Sequence, residues 1–113
     1  MRLRTDIWVA GYLRRVMAGG GFVAVRKKGA PEAGAIFIRI DHLDGTNQLY
    51  GPAPQSMLEA GGDRRFVRLH DDAAIDGAAV ESRLAKEGRF DSDLWIVEVE
   101  DRQGRHFLDE YLD

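Results

Sequence analysis

The chain contains no cysteine, which excludes disulfides, thiolate zinc sites, iron–sulfur clusters and cysteine nucleophiles. Proline is scarce, with three in 113 residues, and all three fall where turns or strand ends are expected. No apolar run approaches the ~20 residues that span a bilayer. Arg2, Arg4 and Asp6 leave no room for the apolar core of a secretory leader, so a cytoplasmic protein is expected. Internal repeats, low-complexity tracts and Pro/Ser-rich linkers are also missing, and the chain reads as one domain over residues 1–113. What remains is an ordinary globular balance, 44% hydrophobic and 31% charged, with a real but modest core at this length.

Charge is unevenly placed. Residues 1–56 carry eight bases against four acids, a net of +4, whereas residues 57–113 carry eight bases against fifteen acids, a net of −7. Such asymmetry can mark a basic binding face beside an acidic tail. The plainer account is that the two halves neutralise each other across one sheet.

The first element reads as a helix. Thr5 is placed to cap it, Asp6 sits in its positive first turn, and Ile7, Ala10, Leu13 and Met17 repeat at helical spacing until Gly19-Gly20-Gly21 stops it. Two period-two runs follow, residues 22–28 and 35–41, separated by the turn Gly29-Ala30-Pro31-Glu32. Asp44-Gly45 signals a hairpin into a strand over 48–51, which Pro52 and Pro54 end. Residues 61–63 read as a loop and 66–69 as a fourth strand. A second helix fits 73–87, capped by Asp71, Asp72 or Asp76 and stopped by Gly88, with a narrow stripe of Ile75, Ala79, Val80 and Leu84. Residues 94–100 form the last strand, apolar on both faces at its start as in a buried central strand. Residues 104–113 hold enough apolar groups to dock onto the body. This order predicts an α+β fold: one main, mostly antiparallel sheet of 4–5 strands with two helices on one face.

Four stretches together resemble a known family: Arg-Thr-Asp-Ile-Trp-Val (4–9), Tyr-Leu-Arg-Arg (12–15), Ala33-Gly34-Ala35-Ile36, and Asp-Leu-Trp-Ile-Val-Glu-Val-Glu-Asp-Arg-Gln-Gly-Arg-His-Phe-Leu-Asp-Glu (93–110). They are similar to the domain-of-unknown-function family 1491, small proteins mostly of alphaproteobacteria, with the C-terminal stretch the most specific. The resemblance covers essentially the whole chain and implies a bacterial cytosolic single-domain protein. It implies no activity, cofactor or catalytic residue.

The residues themselves offer several chemistries. His42, His70 and His106 are 28 and 36 residues apart, outside any metal-ligand spacing, and could converge only through the fold. His70-Asp71-Asp72 has the composition of a hard-metal or general-base cluster, but two aspartates before a helix also serve as caps. Glu98 and Glu100 share a strand face about 7 Å apart and could hold a cation or divide acid and base roles. Arg26, Lys28 and Arg39 are expected on the same face, and cross-strand ion pairs account for these acids equally well. A restriction-endonuclease-like reading would use Asp41, but the third strand Gln48-Leu49-Tyr50-Gly51 lacks the acid and lysine it needs. The glycine run precedes a strand instead of opening a helix, which excludes a phosphate loop, and no GxSxG elbow is present.

Alternation places Val23, Val25, Ile36, Ile38, Ile40, Val67, Leu69, Trp95, Val97 and Val99 under the helices. It leaves Phe22, Arg26, Lys28, Phe37, Arg39, Tyr50, Phe66, Arg68 and His70 on a partly open second face. The reading that follows is a non-catalytic protein-interaction module that contacts a protein partner, or a second copy as a homodimer, through that face or a strand edge. Arg26, Arg39, Tyr50 and Arg68 are the candidate binding residues, and Trp8 and Trp95 are core. No cofactor, metal or membrane is expected. The alternatives are a metal-dependent hydrolase or nuclease-like enzyme using Asp41, Glu98 and Glu100, and a single-stranded nucleic-acid binder. Aromatic rings among arginines suit the last, but the net charge of −3 weakens it.

Overall fold

The computed structural model describes residues 3–54 and 64–113. Helix α1 spans Thr5–Ala18 and buries Thr5, Trp8, Val9, Tyr12 and Val16, one face at helical spacing. Thr5 does not cap it. Its hydroxyl, fully buried, donates to the Gly34 carbonyl and accepts from the Arg64 guanidinium, each at 3.0 Å. The Thr5 and Asp6 amides donate instead to the carbonyls of Glu32 and Pro31, so a neighbouring turn does the work of a capping side chain. At the other end Gly20 takes a φ of 89°, and the Gly20 and Gly21 amides donate to the carbonyls of Met17 and Val16. That is the left-handed closure expected of glycine.

Among the described residues six strands form one sheet: β1 Phe22–Lys27, β2 Ile36–Asp41, β3 Thr46–Pro52, β4 Phe66–Arg68, β5 Ile75–Asp76 and β6 Trp95–Glu100. The order is β1-β6-β2-β3-β4, with β5 also on β3. The α+β class therefore holds, with a sheet that is larger than expected and mixed. β6 runs parallel to β2 and antiparallel to β1. The Asp44-Gly45 turn joins β2 and β3, with Gly45 at a φ of 91°. Helix α2 spans Gly77–Phe90. It starts later than expected because Ile75 and Asp76 pair with β3, and Asp76 then caps it by accepting from the Ala79 amide at 2.8 Å. It runs through Gly88, where a solvated glycine costs only about 1 kcal/mol. The loop expected at 61–63 lies outside the described residues.

The two helices lie on opposite faces of the sheet, which corrects the expectation of both on one. Trp8, Val9, Tyr12 and Val16 of α1 pack with Ile36, Ile38, Ile40, Trp95, Val97 and Val99. Val80 and Leu84 of α2 pack with Phe37, Leu49 and Ile96 on the other side. The physical reason is β6: a strand apolar on both faces, set between β1 and β2, needs cover above and below. The expected faces hold for β1, β2 and β6 but are reversed for β3 and β4. Tyr50 sits opposite Ile38, and Phe66 joins the α1 core.

After β6 the chain forms a strap across the α1 side. The Asp101 carboxylate accepts from the Arg105 amide and guanidinium, and Arg105 also donates to the Gly19 carbonyl at 2.9 Å. The Tyr12 hydroxyl donates to the His106 carbonyl at 2.6 Å, and Arg15 donates to that of Phe107. Leu108 is fully buried, a 3₁₀ turn covers Asp109–Tyr111, and the Asp113 amide closes onto the Phe66 carbonyl. The Phe107 ring lies against the glycine run, where a Cβ on Gly19 would stand 2.5 Å from it. Gly19→Ala is therefore expected to cost about 1–3 kcal/mol. Combined with Phe107→Ala in urea unfolding, the two losses should fall short of their sum. Gly11, with open space around its Cβ position, should gain about 0.5–1 kcal/mol on replacement by Ala. Additive losses at Gly19 and Phe107 would show that the ring does not rest on the glycines.

Candidate functional site

Beneath α2, four charged side chains from three strands and one helix meet. The register sets Arg39 of β2 beside Glu98 of β6, and Glu98 beside Ala24 of β1. Arg26 sits at a break in the β1 register between Val25 and Lys27. It makes a bidentate pair with Glu81 of α2, at 2.8 and 2.6 Å, and reaches Glu98 at 3.1 Å. Arg39 donates to Asn47 at 2.9 Å, Glu81 at 3.0 Å and Glu98 at 3.3 Å. Two bases and two acids thus alternate in a neutral cluster that ties α2 to the sheet. Arg26 holds the Glu81 carboxyl below its ordinary value, chiefly by hydrogen bonding, and Glu81, with a smaller part from Glu98, raises the pKa of the Arg26 guanidinium.

Each candidate residue has a definite place in this frame. Arg26 and Arg39 lie on the face that α2 covers. Tyr50 is buried on the opposite face, edge-on to the His106 ring with centroids 5.6 Å apart, and burial raises its hydroxyl pKa. Arg68, exposed beside Tyr50 on β4, donates to the carbonyls of His70 and Asp71. Asp41 is level with Glu100 across β2 and β6 and accepts from the Leu43 amide. Among the described residues no three histidine or carboxylate side chains come close enough to hold a metal ion. No described helix is long and apolar enough to cross a membrane.

His70 does something the sequence did not suggest. Its Nε2 accepts from the Leu49 amide at 3.1 Å, and its Nδ1 lies 2.8 Å from the Asp72 carbonyl. An amide only donates, so Nε2 is the acceptor and the ring proton is on Nδ1, donating to Asp72. The imidazole fills the gap on the outer edge of β3 between β4 and β5. His70→Ala should cost about 1–3 kcal/mol, because the fully buried Leu49 loses its amide partner. A urea midpoint equal to that of the parent chain would show that water replaces the ring.

A cleft of about 370 Å³ opens beside the start of α1, the β1–β2 connection and the end of β3. Its charged lining is structural: Arg4 pairs with Glu32 at 3.7 Å, and Arg64 donates to the Leu3 carbonyl and to Thr5.

The two ends of the sheet differ more than its two faces. At the β4 end the strap closes the sheet, since Leu112 bridges Phe66. At the other end, among the described residues, β1 pairs only with β6, and Phe22 is 67% and Val25 36% exposed. Sequence reading placed Phe22 on a sheet face without seeing that its strand is an edge, and it missed Glu81. Nothing in the pattern of α2 separates Glu81 from its other charges before its register on the sheet is known.

A family model described as a protein of unknown function, DUF1491, matches residues 3–109. The chain belongs to the DUF1491 family. A crystal structure of a DUF1491 protein from Caulobacter crescentus CB15 is similar at 35% identity, covering 100% of this chain and 99% of that one, with a TM-score of 0.80. An NMR structure of a DUF1491 protein from the same organism matches at 36% identity, over 100% and 98% of the two chains, with a TM-score of 0.80. A solution structure of a protein from A. tumefaciens matches at 48% identity over 88% of this chain and 86% of that one, with a TM-score of 0.76. No curated protein matches the chain.

The ion-pair cluster gives this DUF1491 chain a pH dependence whose sign is fixed. Glu81 and Asp101 both have lowered folded-state pKa values, through hydrogen bonds from Arg26 and Arg105 respectively. Their contribution is fully present above the unfolded carboxyl range, about pH 4, and is lost as pH falls through the depressed values. Glu81→Gln should make the parent's fall in melting temperature at acid pH shallower without abolishing it, because the Asp101 contribution remains. Arg39→Ala, with its side chain only 17% exposed, should cost about 1–2 kcal/mol at neutral pH. An acid limb identical in parent and Glu81→Gln would remove Glu81 from the account.

Proposed function

We propose that this chain acts as a single-domain, non-catalytic protein-interaction module that takes an extended segment of a protein partner along the free edge of β1. The observation that supports it is the contrast between the two sheet ends. One is bridged by the chain's own strap at Phe66, and the other has an edge that no described residue pairs, beside the exposed Phe22 and Val25. Edge strands usually carry outward charges that deter pairing. Here Lys27 is turned inward, its Nζ donating to the carbonyls of Ser92 and Leu94. Phe22 to Val25 therefore remain open to strand addition, in which main-chain hydrogen bonds give affinity and alternate side chains give selectivity. Arg26 ends this stretch, and Arg39 holds it there through the shared Glu81 and Glu98. Tyr50 and Arg68 belong to the far side and have no part in the contact.

Tagged parent chain and Val25→Lys, used as bait at low salt, test the reading. The parent should hold one stoichiometric protein that survives nuclease treatment. Val25→Lys should hold at least ~10-fold less, at an unchanged melting temperature. Equal capture by both baits, or capture abolished by nuclease, would sink it.

A further inference from the structure

We propose that Asp44-Gly45 is a site of covalent self-modification, at which the aspartate isomerises to isoaspartate, and that Thr46 restrains the reaction. The inference is independent of the β1 edge.

The chemistry needs no co-reactant but water. The Gly45 amide nitrogen attacks Cγ of the protonated Asp44 carboxyl. A C–N bond forms, the carboxyl hydroxyl leaves with the amide proton as water, and a five-membered succinimide results. Water then reopens the ring. Attack at the side-chain carbonyl restores aspartate. Attack at the main-chain carbonyl gives isoaspartate, in which the backbone runs through Cβ and Cγ and the former main-chain carbonyl becomes the free acid. Glycine in the following position favours ring closure, because no Cβ crowds the nitrogen and its backbone turns freely.

The sequence holds two Asp-Gly dipeptides, Asp44-Gly45 and Asp76-Gly77, and the fold treats them differently. Asp76 is paired with Thr46 in the β3–β5 ladder, Gly77 opens α2, and the Asp76 carboxylate caps that helix through the Ala79 amide at 2.8 Å. Bringing the Gly77 nitrogen onto the Asp76 carboxyl would break the cap and disturb both elements. Asp44 and Gly45 are exposed and lie in the turn beyond the last β2–β3 pair, Asp41 with Asn47. Open space surrounds the Gly45 Cβ position. No ladder or helix holds this peptide, so its restraint is local.

That restraint is Thr46. Oδ1 of Asp44 accepts from the Thr46 amide at 3.0 Å and from the Thr46 hydroxyl at 2.6 Å. An ionised carboxylate only accepts, so the hydroxyl proton points at Asp44, and His42 Nδ1, 3.0 Å from the same oxygen, is the donor to Thr46. The imidazole is seated in turn on the strap, where a Cβ on Gly104 would stand 2.9 Å from Nε2. These bonds oppose ring closure in two ways. They resist rotation of the carboxylate onto the Gly45 nitrogen. The Thr46 hydroxyl, and after it the amide, also hold the Asp44 carboxyl below its ordinary range, which keeps it in the ionised form that is the poorer electrophile. Isomerisation would add a methylene to the turn that sets the Ile38–Tyr50 register.

The test incubates the folded parent, Thr46→Val and Thr46→Ser in warm buffer at neutral pH. Peptide mapping with electron-transfer fragmentation then distinguishes isoaspartate from aspartate at each position. In the parent, isoaspartate should accumulate several-fold faster at 44 than at 76, and in urea the two positions should react alike. Thr46→Val, which keeps the branched shape and the amide but lacks the hydroxyl, should raise the rate at 44 several-fold and leave 76 unchanged. Thr46→Ser, which keeps the hydroxyl, should stay near the parental rate. Isoaspartate appearing first at 76 overturns the site. Equal rates at 44 in parent and Thr46→Val, a rise at both positions together, or Thr46→Ser as fast as Thr46→Val overturns Thr46 as its restraint.

Discussion

The insertion of β6 between β1 and β2 is the constraint from which the rest of the fold follows. Trp95, Ile96 and Val97 are all buried, so the strand presents apolar groups to both sides and neither side can face water. One helix must therefore lie on each face. The parallel pairing with β2 follows as well, because α2 carries the chain back across the sheet before β6 enters it. That same register places Glu98 beside Arg39 and brings both under α2. An unpaired guanidinium in that position, 17% exposed, would be costly, and Glu81 on the helix completes the set. The cluster is thus a consequence of strand order, and its arginines are answered from within the chain.

Most elements were legible in the sequence because their signals are local. The glycine run ends α1, Asp44-Gly45 makes the hairpin, and alternation marks β1, β2 and β6. The faces of β3 and β4 were not legible. A period-two pattern fixes which residues share a face but not which face, and the Ile38–Tyr50 register is set by the geometry of the connecting turn. Tyr50 and Arg68 were therefore grouped with Arg26 and Arg39, when the sheet separates the two pairs. The apolar run at the start of β6 already implied two covered faces, and Phe37 and Ile96 needed a partner such as Val80 and Leu84. Of the candidate site, the arginines and Glu98 were visible, whereas Glu81 and the openness of β1 depend on tertiary register.

The most specific part of the family resemblance, residues 93–110, now has a physical content. It encodes the central strand and then the strap, whose left-handed positions at Gly104 and Phe107 bend the chain over α1. Asp101, nearly buried, holds that bend through Arg105, and Arg105 reaches the Gly19 carbonyl at the end of α1.

The glycine run sits where three of these demands meet. Gly20 supplies the left-handed turn that ends α1, Gly19 and Gly21 leave room for the Phe107 ring, and Phe22 begins the free strand immediately afterwards. The strap therefore buttresses the start of β1 from one side while leaving its outer edge uncovered. At the far end of the sheet the same strap continues to Leu112 and bridges β4 at Phe66. A single C-terminal segment thus shuts one end of the sheet and steadies the entrance to the other. An edge held rigid in this way would lose little conformational entropy on taking up a strand, which supports β1 over β4 as the proposed docking edge.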